Sequence, residues 1–315
     1  MAALAFGIFN GASVSDMRPH HMPLGISGPA DFTDDLTRLL AANGSDAFDV
    51  RSYAIAAAAE DAVRDREVVA AISAESGALV AVIAGGEGPK ISQGITALAQ
   101  QTASETGLPL RTHDVAPLPE DDPQGITLAT LLGCLLIPGI VGIIAFSVIA
   151  KQVSVVARAI LLPVAAGLAG LAAVTLLGPG FNVLSGNLWQ MTALAALYLT
   201  AIIAAGLGMV RVLGMPGIAV VALTTMTLGN ATSGASTTGW FLPHWMSVIG
   251  PFLPPNAFIA TGRSLLYFHG VGLTRPLVVL LAWVAVGYLL IAVGSLPQRR
   301  ATATTPALPP ARKAG

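Results

Sequence analysis

Beyond Asp122 this chain carries no acidic residue. All 17 of the Asp and Glu in its 315 residues lie between Asp16 and Asp122. Proton- and sodium-coupled carriers keep ionisable or coordinating groups inside the membrane, so the acid-free stretch lowers that class, although backbone carbonyls can also hold Na⁺. Charge is scarce overall, at 10% of residues, against roughly 25% in ordinary soluble domains. A single cysteine, Cys134, excludes a disulfide framework and any multi-cysteine metal site; within its apolar run it is expected to be a small buried hydrophobe. His20 and His21 are adjacent and His113 is remote, so the sequence offers no metal-ligand spacing. "GGEGPKIS" (85–92) lacks what a phosphate loop needs: Pro89 separates Gly88 from Lys90, and Ile91 stands where Ser or Thr must follow the lysine. It reads as a turn between strand and helix. No internal repeat is visible, so inverted repeats have no support. The chain is therefore expected to be no enzyme, with no ATPase of its own, no cofactor and no metal.

What is present is segregated. Hydrophobic residues make up 54% of the chain, and the mean hydropathy is +0.73. The stretch 16–122 nets −10, and 123–315 nets +9 with nine Lys or Arg. Two bodies in two solvents explain this: a water-exposed acidic domain, then a membrane domain with basic edges.

Residues 1–14 are apolar, but a helix of that length reaches only ~21 Å of a ~30 Å hydrocarbon core. They read as the outer part of a truncated first transmembrane helix; a short interfacial anchor is the alternative. Residues 15–124 read as a small α/β domain. Strands are expected at 23–28, 48–54, 68–75, 77–86 and 108–119, and helices at 31–44, 56–67 and 91–107. A transmembrane domain is expected at 125–297, with complete spans at 126–150, 156–178, 188–210, 212–230 and 276–296. Pro138, Pro163 and Pro216 are expected to kink their helices. Small-residue spacings such as Ala165/Ala169 and Ala169/Ala173 read as helix-packing contacts. The Pro-rich tail 298–315 reads as disordered.

The basic residues set the sidedness. Lys151 and Arg158, then Arg211, then Arg299, Arg300, Arg312 and Lys313 occupy connections that should face the cytoplasm. The acidic domain is then extracytoplasmic. Residues 240–268 hold four prolines between Pro243 and Pro255. One lipid-facing helix cannot carry them without unpaired backbone groups. A single crossing there would also put the basic tail outside. A re-entrant pair entering at 240–250 and returning at 255–268 removes both conflicts; a surface-lying pair preserves the same parity. Trp240 and Trp245 suit the interface, and Arg263 a polar cleft. The fold class expected is thus an α-helical polytopic membrane protein: five complete spans, a truncated first span, a re-entrant outer helix pair and an inserted small α/β extracytoplasmic domain.

The order of these parts, and the stretch "LGNATSGASTTGWFLPHWMSVIGPFLPPNAFIATGRSLLYF", resemble ABC type-2 permeases of the phage infection protein type in Gram-positive bacteria. Gly229, Asn230, Ser233, Gly234, Pro254, Pro255, Arg263, Ser264, Tyr267 and Phe268 match that family's pattern of a "GNPxSG"-like turn, "LPP" and an "RSxxYF"-like helix. The Ala-, Gly- and Val-rich composition suits a high-GC actinobacterium. The resemblance implies the permease subunit of an ATP-driven exporter in the cell membrane, moving an amphipathic or lipid-like cargo outward. Its partners would be a cytoplasmic ABC ATPase, a second permease in a homo- or heterodimer, and membrane lipid, with no nucleic acid. Lys151, Gln152 and Arg158 would dock the ATPase, while Asn230, Trp240, Trp245, Pro254, Pro255, Arg263 and Tyr267 would form an outer gate. Against that resemblance, the chain is expected to lack the family's cytoplasmic amphipathic segment and half of the first span. The alternative is a non-transporting, multi-span surface protein whose ectodomain binds a phage, a wall polymer or a partner protein.

Overall fold

The computed structural model describes residues 19–42, 46–149, 155–181, 187–235 and 238–294. The expected first span 1–14, Lys151, Gln152 and the tail 298–315 lie outside them.

Strands β1 (Met22–Ser27), β2 (Phe48–Tyr53), β3 (Ala70–Glu75), β4 (Ala78–Ile83) and β5 (Leu110–Asp114) form one sheet in the order β2-β1-β3-β4-β5. All neighbours are parallel except β3 and β4. That pair is joined by Ser76-Gly77, both at positive φ, the geometry that matches the twist of a two-residue hairpin. Period-2 alternation assigns the two faces. Leu24 and Ile26, Ala70 and Ile72, and Leu79, Ala81 and Ile83 pack against helices α1 (Ala30–Ala42) and α3 (Pro89–Thr106). Ala71 and Val82 point the other way, into a core shared with α2 (Ala56–Arg64). That second core continues without a break into the apolar helices.

Four helices among the described residues are long and apolar enough to cross a membrane: α4 (Thr127–Ile149), α5 (Val155–Phe181), α6 (Leu188–Leu213) and α10 (Thr274–Val293). The protein is a membrane-embedded helical bundle with a small α/β sheet domain. α6 is its axis, with 72% of its apolar window buried against 33%, 22% and 17% for α4, α5 and α10. Glycines on the axis and its neighbours make this possible. Ile203 of α6 fills the place where Gly142 of α4 lacks a side chain, and Ile143 of α4 does the same at Gly206. At Gly287 of α10 a Cβ would lie 2.5 Å from the α6 backbone at Ala204. Gly170 of α5 meets Ala195 similarly, and Ala165, Ala169 and Ala173 pack on the core, as their spacing predicts.

The span expected at 212–230 differs. Gly214 takes φ +73° and ends α6, and Pro216 opens a new helix instead of kinking a continuous one. The resulting α7 is α-helical over Pro216–Ala222 and π-helical over Leu223–Gly229. Its apolar part has 14 residues, about 21 Å. The hydroxyls of Thr224 and Thr225 bond back to Val220 and Val221, a pattern that bends and loosens a helix. Cys134 also departs from expectation: it is exposed, on the outer face of α4.

The segment expected at 240–268 becomes a one-turn 3-10 helix (Gly239–Phe241), α8 (His244–Ile249), a second 3-10 turn (Gly250–Phe252) and α9 (Pro254–Leu266). Every break falls at a proline or glycine, and Pro254 and Pro255 open α9, where a missing N–H costs nothing.

Candidate functional site

The folded-back segment meets the α/β domain at both ends and the bundle interior at its tip. At its start, the Trp240 carbonyl accepts the His20 backbone N–H at 2.8 Å, and Trp240 and Phe241 pack on the sheet's α1/α3 face. At its end lies a cluster around Arg66. At the tip, the Trp283 indole donates to the Phe252 carbonyl at 2.8 Å. Trp283 stands nine residues into α10, about 14 Å from its start. Gly229 at the end of α7 faces Pro255, and the Asn256 amide donates to the Thr232 carbonyl at 2.8 Å. Two interrupted helices, α7 and α9, therefore meet halfway down the bundle. Phe258 of α9 packs on Tyr198 of α6 with ring centroids 5.0 Å apart.

Arg66 lies just past the last turn of α2. It takes φ +60°, where glycine normally ends a helix, and Glu67 N–H reaches back to the Ala62 carbonyl. The side chain justifies that backbone. Its Nε donates to Glu87 Oε1 at 2.7 Å, its Nη1 to Ser264 Oγ at 2.7 Å, and its guanidinium lies 4.4 Å from the Phe268 ring centroid. Arg66 and Glu87 are both mostly buried. Glu87 arrives on a turn that needs glycine: a Cβ at Gly86 would lie 2.5 Å from Tyr267 Cβ, and Gly88 has φ +131°. The glycine-rich turn that fails as a phosphate loop is thus the surface on which the α/β domain seats. Tyr267 is buried with no hydrogen-bond partner for its hydroxyl among the described residues. Burial, and then the Asp122 carboxylate, push its phenol up to about 12, with Arg263 opposing.

Arg263 donates to the Gly234 carbonyl at 2.8 Å. No carboxylate among the described residues lies within ion-pair distance of it. Glu87 attracts it from further away and Arg66 repels it. Asp122, the last acid in the chain, is buried and accepts the Ile126 and Thr127 backbone N–H groups at 2.9 Å. It caps α4 where the helix dipole is positive.

Of the residues singled out from sequence, Arg263 and Tyr267 lie at the seat, Trp240 packs on the sheet at the segment's other end, and Pro254 and Pro255 stand at its tip. Asn230, at the end of α7, accepts the Ser233 hydroxyl through its carbonyl. Trp245 is 44% exposed and stands away from the cluster. Arg158 falls in the first turns of α5, but its side chain, like Lys151 and Gln152, lies outside the described residues. Sequence reasoning misses Arg66, Glu87 and Asp122 altogether. The glycine run 85–88 is their available signal, since three glycines in four residues mark a close backbone approach. No family model, curated protein or solved structure matches the chain.

Proposed function

We propose that this chain is the membrane subunit of an ATP-driven exporter that moves an amphipathic or lipid-like cargo outward. The observation that carries the proposal is the meeting of two interrupted helices, α7 and α9, halfway down the bundle, with both ends of the folded-back segment held by the α/β domain. Helix interruptions inside a bundle are tolerated where they are enclosed by protein or line a path, and transport proteins use them there. A protein that only needs an anchor has no use for one. The charge segregation supports an outward-facing α/β domain and a basic cytoplasmic face. On this reading the folded-back segment is re-entrant from outside and forms the outer gate. Two copies, identical or not, enclose the path, and a separate cytoplasmic ATPase binds the turn containing Lys151, Gln152 and Arg158.

The test is affinity purification of the full chain from its native cell. An ATPase should co-purify, and charge reversal at Lys151 and Arg158 together should abolish the pairing while leaving the melting temperature unchanged. Recovery of the chain with a wall polymer or surface partner and no ATPase would instead support the receptor alternative.

A further inference from the structure

Between the α/β domain and the bundle, beside the gate residue Arg263, lies a cleft of about 430 Å³. Lys90 and Gln93 of α3, Gln124 before α4, Thr238 and Arg263 line its polar side. Ile126 and Ala129 line its apolar side. No carboxylate is among these residues. Arg263 reaches the cleft with a single neutral carbonyl as its hydrogen-bond partner and no ion pair among the described residues. Thr238 is 8% exposed, and its hydroxyl has no partner among the described residues. Gly88, at φ +131°, brings its backbone beside the guanidinium: a Cβ there would lie 3.6 Å from Arg263 Nη2. The N-terminus of the 18-residue α3 adds its dipole to the two cations. A guanidinium, an ammonium, a hydroxyl and two amides line the cleft with no carboxylate among its lining residues, a donor set suited to an oxyanion with several acceptor oxygens.

The apolar side identifies the rest of the ligand. Ile126, just before α4, is exposed at the cleft, and Ile137, Val141, Ile144 and Val148 are exposed apolar residues along α4. We propose that the cleft is a phosphate site, built to hold the headgroup of an amphiphile whose hydrocarbon tail runs down α4. This deepens the exporter reading by naming its cargo class, and it rests on that reading for direction only. Binding needs no ATPase, so loss of the site and loss of the ATPase partnership are separately observable.

The test uses the purified full chain in detergent, titrated calorimetrically with dioctanoyl phosphatidylglycerol, dioctanoylglycerol and inorganic phosphate. Saturable binding of phosphatidylglycerol with none of dioctanoylglycerol is expected. Arg263→Gln should weaken it at least about tenfold, the loss of one charge-assisted contact, and Arg263→Lys by less. If Arg263→Gln does not fold, the exposed Lys90→Glu carries the same comparison, with a smaller expected loss. Inorganic phosphate binding as tightly as the lipid, with the same dependence on Arg263, would keep the phosphate site and assign it the free anion. Equal binding of dioctanoylglycerol, or lipid binding indifferent to both substitutions, would overturn the proposal.

Discussion

Arg66 shows how one side chain can hold two bodies together. Its left-handed backbone would suit glycine better, so Arg66→Gly removes the side chain while easing the main chain. Any measured loss then belongs to the contacts with Glu87, Ser264 and Phe268. We expect Arg66→Gly to destabilise the protein by about 2–4 kcal/mol, because a mostly buried carboxylate is left without its cation. Thermal unfolding in detergent reads this, and hydrogen exchange should rise selectively around residues 264–271. Tyr267 gives a second handle. Its folded pKa is raised to about 12, above the ordinary value near 10. The folded state therefore retains the phenol proton more tightly. Stability from this group is complete below pH ~10 and is lost as pH rises through ~12. Tyr267→Phe, which removes a hydroxyl with no partner, should leave the melting temperature at pH 7 nearly unchanged and flatten the alkaline fall between those values.

At the scale of elements, helix packing is set by missing side chains. Gly287→Ala would put a methyl against the α6 backbone, where no rotamer change can relieve it. α10 must then move outward, at a cost of about 1–3 kcal/mol. A drop in melting temperature, with greater lipid-phase labelling at Cys substitutions along α10, would report that movement. Sequence pattern makes most elements readable. The alternation of Leu24/Ile26, Ala70/Ile72 and Leu79/Ala81/Ile83 places the strands, and runs of twenty or more apolar residues place α4, α5, α6 and α10. Hydropathy alone cannot reveal the shortness of α7, since Gly214 and Pro216 act through backbone geometry and leave the apolar count intact. Nor can it reveal the junction, where Arg66 meets Ser264 across 198 residues. Pairing at that separation depends on two domains docking, and no local period encodes it. The exposure of Cys134 is hidden for a related reason: on a helix apolar all round, composition does not distinguish the face turned to α6 from the face turned outward.

For the molecule as a whole, sidedness is the property on which the rest depends. A cysteine at position 300, placed in a Cys134→Ala background so that the native thiol does not interfere, should react with impermeant maleimide only after the membrane is opened. A cysteine replacing exposed Trp245 should react in intact cells. Labelling of position 300 in intact cells would reverse the assignment and remove the cytoplasmic docking turn with it. The seat around Arg66 couples the two bodies. The sheet domain grips residues 240 and 264–271, and between those grips the chain descends to the middle of the bundle, where Trp283 holds Phe252. A tug on the domain is therefore delivered along α9, 13 residues or about 20 Å long, to the depth at which α7 and α9 are interrupted. The domain acts as a handle, and whatever grasps it has mechanical access to the centre of the protein.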